Sequence, residues 1–208
     1  MMHKEIFSAI AIALTLIAFF PYICSIRLGK TKPHVFSWII WGSTTFVVFL
    51  AQLADNGGSG AWPIGISGII TLYVAFLAYL KRSDTTITGT DWLFFILAMT
   101  SLPLWYFNSH PLWAVVILTA VDGMGFVPTF RKAYVHPDEE PMTFFAIMAL
   151  RNVMSILALA HYSVTTVLFP AVMAAACLMF ILMVVYRRRV LVIYGHNHGT
   201  ITCKRKNV

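Results

Sequence analysis

An apolar run that ends at Pro21 is followed by a short basic loop, Arg27 to Lys32, and then by a second apolar run that includes Trp38. A bilayer core accepts backbone only where its polar groups are satisfied internally, as they are in a helix. Two apolar runs joined by so short a loop therefore indicate two membrane helices that turn on one side of a bilayer.

The spacing of prolines indicates an internal repeat of 107 residues. Pro21 and Pro128 are 107 positions apart (128 − 21), and so are Pro63 and Pro170 (170 − 63). A weaker copy of the first pattern, with a polar loop between two apolar runs, surrounds Pro128. Self-similarity at a fixed period in an apolar chain is typical of transporters that are built from repeats.

The composition indicates a protein that crosses the membrane several times. The chain is 59% hydrophobic and 11% charged, whereas a soluble domain is about 25% charged. Its net charge of +7 comes from basic residues at helix ends, which is the pattern of membrane orientation and not of nucleic-acid binding. The three cysteines show neither metal-binding spacing nor a disulfide framework.

The apolar runs predict an all-α transmembrane protein with seven helices. Their approximate ranges are Glu5 to Ile26, Pro33 to Leu53, Ala61 to Leu80, Asp91 to Phe107, Pro111 to Phe130, Pro141 to Ala160 and Ser163 to Tyr186. With this division, the basic loop residues apart from Lys4 fall on one side. The positive-inside rule then puts the N-terminus outside and the C-terminus in the cytoplasm.

The two most informative single residues are Asp122 and Arg151, each deep within a predicted helix. Asp122 lies nine residues before Arg131, and Arg151 lies ten residues after Pro141. At 1.5 Å per residue both are roughly 14 Å from the same boundary, near the centre of a ~30 Å core. Because helices 5 and 6 are consecutive, the two side chains can meet. Two interpretations stay open: a pair for substrate binding or proton coupling, or a structural salt bridge.

In the 107-residue repeat, the positions of the first half that correspond to these polar residues are neutral threonines. The repeat pairs Asp122 with Thr15, Arg151 with Thr44, and Asn152 with Thr45. An asymmetric site of this kind suits a polar ligand with a charged end better than a neutral sugar. We expect Thr15, Thr45 and Asn152, together with Trp41, to line a path beside the two charges.

Two further groups of residues have a functional and a structural interpretation. Trp38 and Trp41 share one helix face and could stack on a sugar or a planar ring, or Trp38 could be an interfacial anchor and Trp41 a packing residue. Gly123 and Gly125 could make helix 5 a hinge or could allow tight packing.

The order of three helices, one helix and three helices, with Pro21-Tyr22 and Pro128-Thr129 near the ends of helices 1 and 5, resembles the SWEET/PQ-loop superfamily. This chain lacks the Pro-Gln dipeptide at both positions. The resemblance implies two parallel three-helix bundles joined by a linker helix (3+1+3), with a binding site near mid-membrane. It also implies that Pro21 and Pro128 permit bending. Members of this superfamily move sugars, amino acids or nucleoside-like vitamins, and related folds are cargo receptors.

These observations divide the chain into four parts: a first bundle (1–80), a linker with helix 4 (81–109), a second bundle (110–189) and a basic cytoplasmic tail (190–208). We expect a transporter of a small polar solute that works by alternating access, with proton coupling as an option. The alternative is a non-transporting receptor or structural membrane protein of the same fold. We expect no enzyme, since no nucleophile triad or phosphate-binding loop occurs in the sequence, and no cofactor or metal.

The expected partners are the lipid bilayer and the small solute, without nucleic acid. A homo-oligomer is compatible with the sequence, which leaves the oligomeric state open. Short loops and the lack of a recognised sorting signal favour a bacterial inner membrane.

Overall fold

The structure, a computed structural model, describes residues 2–29, 33, 35–81, 89–108, 111–135, 137 and 142–204. These residues form seven α-helices and one 3-10 helix and contain no β-strand, which confirms the all-α prediction. In chain order the elements are α1 (Met2–Arg27), α2 (Val35–Ala54), the 3-10 helix (Gly58–Ala61), α3 (Trp62–Leu80), α4 (Gly89–Asn108), α5 (Leu112–Val135), α6 (Met142–Leu157) and α7 (Val164–Lys204).

Four of these helices are long and apolar enough to cross a membrane. Their spans are His3–Arg27, Val35–Ala54, Gly58–Leu80 and Val164–Leu191. Large apolar side chains on α1 and α7, such as Phe20 and Leu182, are about 69% exposed. Such exposure suits lipid and is costly in water, so the described helices are compatible with a membrane protein.

Two helices extend beyond the ends that the sequence predicts. α5 continues past Phe130 to Val135. α7 does not stop at the run Arg187–Arg189 and continues to Lys204, because arginine has high helix propensity and does not by itself end a helix. The predicted tail therefore begins as a helical extension of α7.

The end of α1 agrees closely with the sequence. Gly29 adopts φ +70°, a conformation that glycine reaches without steric cost, and its N–H donates to the Ile26 carbonyl at 2.9 Å. This cap ends the helix just before the basic loop. Residues 30–32, 82–88 and 138–140, which the sequence predicts as loops, and tail residues 205–208 lie outside the described residues.

The helices pack in a pattern that repeats between the two halves of the chain. In the first half α3 packs against both α1 and α2, and in the second half α7 packs against both α5 and α6. The halves meet along two seams, α1 against α6 and α2 against α5. α4 packs against α5 and α2.

At one end of the molecule the two halves are also held together by their loops. We call the contact between residues 55–61 and residues 155–166 the loop junction. Three of its hydrogen bonds are Ser59 Oγ to the Ala158 carbonyl (3.0 Å), Ala160 N–H to the Gly57 carbonyl (2.9 Å) and Ser155 Oγ to the Gly60 carbonyl (2.7 Å). Lys4 of α1 adds a bond of 2.7 Å to the Leu159 carbonyl. The halves are thus closely joined at this end.

Candidate functional site

Asp122 lies in the seam between α5 and α2, where it is 6% exposed. Its Oδ1 accepts a hydrogen bond of 2.7 Å from the Thr44 hydroxyl, and its Oδ2 accepts a longer one of 3.5 Å from the Thr45 hydroxyl. Both donors are neutral. The carboxyl group is therefore buried with hydroxyl partners and without a hydrogen-bonded cation among the described residues.

Arg151 lies in the other seam, between α6 and α1, and is 2% exposed. Its Nε donates to the Thr15 hydroxyl at 3.2 Å, its Nη1 to Asn152 Oδ1 at 2.6 Å and its Nη2 to the Pro63 carbonyl at 3.4 Å. The guanidinium thus connects α6 to α1 and to the beginning of α3. All three acceptors are neutral oxygen atoms.

The two charged residues do not meet. Among the described residues, no ion pair joins Asp122 to Arg151: the carboxyl group faces α2, and the guanidinium faces α1 and α3. The sequence allowed them to meet as neighbours on consecutive helices, but their hydrogen-bond partners lie on different helices of the first half, and α7 packs against both α5 and α6. A direct salt bridge between them is excluded by the same geometry.

The two seams are related by the 107-residue repeat. The bond from Thr44 to Asp122 joins α2 to α5, and the bond from Arg151 to Thr15 joins α6 to α1. Subtracting 107 turns Asp122 into Thr15 and Arg151 into Thr44, so each bond occupies the position of the other in the repeat. The predicted correspondence of these four positions is present as two equivalent contacts.

Thr15 and Asn152 are anchored by their own helices as well as by Arg151. The Thr15 hydroxyl donates to the Ala11 carbonyl at 2.8 Å, which leaves its oxygen free to accept from the guanidinium. Asn152 Nδ2 donates to the Met148 carbonyl at 2.9 Å, and this fixes its Oδ1 towards Arg151. The structure therefore places both predicted residues beside Arg151 and places Thr45 beside Asp122.

Four aromatic residues, Phe19, Tyr22, Trp38 and Trp41, form an aromatic layer. It lies one to two helical turns from the polar residues, on the side of the basic loop. Trp38 is stacked on Tyr22, with ring centroids 5.1 Å apart, and makes edge contacts with Phe19 at 6.5 Å and Trp41 at 5.8 Å. These contacts favour the packing interpretation of both tryptophans. Either ring still lies within one or two turns of the polar residues.

The predicted hinge residues fall into different surroundings. α1 continues through Pro21 to Arg27, and α5 continues through position 128, whose side chain lies outside the described residues. A Cβ added at Gly125 would lie 2.6 Å from Trp41 Nε1, whereas a Cβ at Gly123 would meet nothing within 4 Å. Tight packing thus explains Gly125 and does not explain Gly123.

Three contributors to this region are absent from the set predicted to line the path. The sequence indicates Thr44 only as the repeat partner of Arg151, and this pairing is the signal for its place beside Asp122. No sequence pattern identifies the Pro63 carbonyl as a partner of Arg151, since any backbone carbonyl oxygen can accept a hydrogen bond. Thr119, 4% exposed and one turn before Asp122, has a hydroxyl without a hydrogen-bond partner among the described residues.

Comparisons of the chain with known proteins found no matching family model, no matching curated protein and no matching solved structure. The resemblance to the SWEET/PQ-loop superfamily therefore remains a prediction.

Proposed function

We propose that this chain is a membrane transporter of a small polar solute that works by alternating access between two three-helix bundles joined by a linker helix. The observation that carries the proposal is the pair of repeat-related seams, each with one buried charged residue, Asp122 in one and Arg151 in the other. Ionisable residues inside a membrane are costly, and where they occur they commonly mark a pathway for substrate or ions.

The helix contacts support the 3+1+3 arrangement in this proposal. α3 lies with α1 and α2 as α7 lies with α5 and α6, and the two contacts between halves, α1 with α6 and α2 with α5, are repeat equivalents. Parallel repeats of this kind are known among transporters, whose sites lie between the repeats near the bilayer midplane. The basic ends of the predicted helices support an N-out, C-in orientation, and a bacterial inner membrane remains part of the proposal.

The loop junction gives the proposed transport cycle a closed end. Hydrogen bonds link the halves directly at Ser59, Ala160 and Ser155. In an alternating-access cycle these bonds would break when the halves separate at that end. The described arrangement would then be the state that is closed on the side of the loop junction.

A second candidate function is a non-transporting receptor or structural membrane protein. The observation that favours it is the satisfaction of Arg151, whose three nitrogen atoms all have protein partners in a seam that is almost fully buried. In that case the polar seams would hold the halves in one permanent arrangement.

Uptake by proteoliposomes tests the two functions against each other. The purified chain would be reconstituted and supplied with radiolabelled sugars, amino acids and nucleosides, with and without a pH gradient. We expect uptake of at least one solute above empty liposomes, and loss of that uptake in Asp122→Asn. The variant Glu5→Gln, which removes an exposed carboxylate in the first turn of α1, is the matched control. Absence of uptake, with Asp122→Asn only lowering the melting temperature, would favour the structural function.

A further inference from the structure

The two seams carry opposite charges, and these charges do not neutralise each other because they do not form an ion pair. Asp122 has two hydroxyl donors, and Arg151 has three neutral oxygen acceptors. Hydrogen bonds to neutral groups lower the cost of a buried charge but do not remove it. A ligand with a single charge would compensate one seam and leave the other as it is.

The two charges lie in contacts that are equivalent in the 107-residue repeat. Phe19 is one turn beyond Thr15 on α1, and Trp41 is one turn before Thr44 on α2. The two rings are connected through Trp38, at centroid distances of 6.5 Å and 5.8 Å. Thr15 bonds Arg151 and Thr44 bonds Asp122, so the threonine that holds each charged group is one turn from one of these rings. A ligand that carries both an ammonium and a carboxylate group is the kind that could compensate both seams.

The polar residues also retain hydrogen-bonding capacity for a ligand. A guanidinium has five N–H groups, and the bonds of Arg151 to described residues involve three of them. A carboxylate can accept two parallel bonds from such a group. On the other seam the buried Thr119 hydroxyl lacks a partner among the described residues and lies on α5 one turn from Asp122, which suits an ammonium group or its hydration.

We infer that the solute is a small zwitterion, with an ammonium group directed to Asp122 and a carboxylate directed to Arg151, as in an α-amino acid. This inference rests on the proposed function, because it names the substrate class of the same site. It predicts discrimination against sugars, which carry no charge for either seam, and against molecules with only one of the two charges.

The first test uses the wild-type chain, so that it does not depend on the folding of a variant. Alanine and proline are the zwitterionic probes, propylamine and propionate carry one charge each, and glucose carries none. We expect thermal stabilisation and proteoliposome uptake with at least one zwitterion, and affinities at least about tenfold weaker for the singly charged analogues of similar size.

Variants then test which seam recognises which end. Asp122→Asn should weaken zwitterion binding at least about tenfold and leave the binding of propionate unchanged, whereas Arg151→Lys should weaken the binding of propionate. Glu5→Gln and Arg189→Met remove exposed charges and are the matched controls. Equal losses in the controls would overturn the assignment of the two ends.

The outcomes separate this inference from the proposed function. Uptake of glucose or of a singly charged probe, without uptake of a zwitterion, would overturn the inference and leave the transporter intact. Failure of both zwitterions would overturn the inference alone, and failure of every sugar, amino acid and nucleoside in the uptake test would overturn the proposed function as well.

Discussion

Thr44 donates a hydrogen bond of 2.7 Å to Asp122, and this contact is the repeat equivalent of the bond between Arg151 and Thr15. The protein therefore uses one geometry twice, with an acid in one seam and a base in the other. Since neither charge is paired with the other, the cost of burying each is lowered only by local hydrogen bonds to neutral groups.

Removal of the Thr44 hydroxyl should destabilise the protein more than removal of the Thr45 hydroxyl. Thr44→Val leaves Oδ1 of Asp122 without its short bond, and we expect a loss of about 1–2 kcal/mol in the free energy of unfolding, because hydrogen bonds to charged groups contribute more than neutral ones. Thr45→Val removes a bond of 3.5 Å and should cost below about 0.5 kcal/mol. Unfolding in mixed detergent micelles measures both, and equal losses would contradict the assigned geometry.

Substitutions of the two charged residues should be additive. Asp122→Asn and Arg151→Met act in different seams without a shared hydrogen-bond partner, so the double variant should lose the sum of the single losses within about 0.5 kcal/mol. A direct salt bridge would instead give a coupling energy of about 1–3 kcal/mol. A double-mutant cycle on the free energy of unfolding decides between these outcomes.

Gly125 should be intolerant of alanine, while Gly123, two residues away on the same helix, should accept it. An added Cβ at Gly125 must displace the Trp41 indole, 2.6 Å away, at a cost of about 1–3 kcal/mol. At Gly123 the space is open, and alanine should leave stability unchanged or raise it by up to ~1 kcal/mol. If Gly123→Ala keeps the stability but slows uptake, the hinge interpretation of that glycine is supported. An unchanged uptake rate would count against it.

Gly60 should be required for the loop junction. Its added Cβ would lie 2.6–2.8 Å from backbone atoms of Leu159 and Ser155, which cannot rotate away as a side chain could. Gly60→Ala should therefore lower the melting temperature by several degrees, or open this end of the molecule to cysteine-labelling reagents. Gly89→Ala is the matched control, because nothing lies within 4 Å of a Cβ there. A melting temperature and labelling rate equal to those of the control would contradict the importance of this contact.

Thr119→Val should not destabilise the ligand-free protein. The variant replaces a buried hydroxyl that lacks a partner among the described residues, and removal of an unsatisfied group is neutral or stabilising by up to ~1 kcal/mol. A clear loss of stability in the absence of ligand would contradict this prediction and would mean that the hydroxyl has a structural partner. Thr100→Val, on the exposed side of α4, is the control, and differential scanning fluorimetry measures both.

The sequence by itself determined the helical class and the approximate helix ranges, because both depend on local composition. It also singled out Asp122 and Arg151 as charged residues within apolar helices. Apolar runs of membrane length predict the helices that the structure describes, and the 107-residue period pairs Asp122 with Thr15 and Arg151 with Thr44. The expected depth of Asp122 and Arg151 in the membrane rests on counting along the helices, since the rise of a helix is fixed.

Only the tertiary structure decided which faces of these helices meet. Adjacency along the chain suggested that Asp122 and Arg151 could pair, but α7 packs against both α5 and α6 and turns the two residues into separate seams. The partners of Arg151 include a carbonyl at Pro63, 88 residues away along the chain (151 − 63), which no side-chain pattern can reveal. A helix pattern specifies that one face is polar, whereas the choice of neighbour for that face depends on the packing of all the helices together.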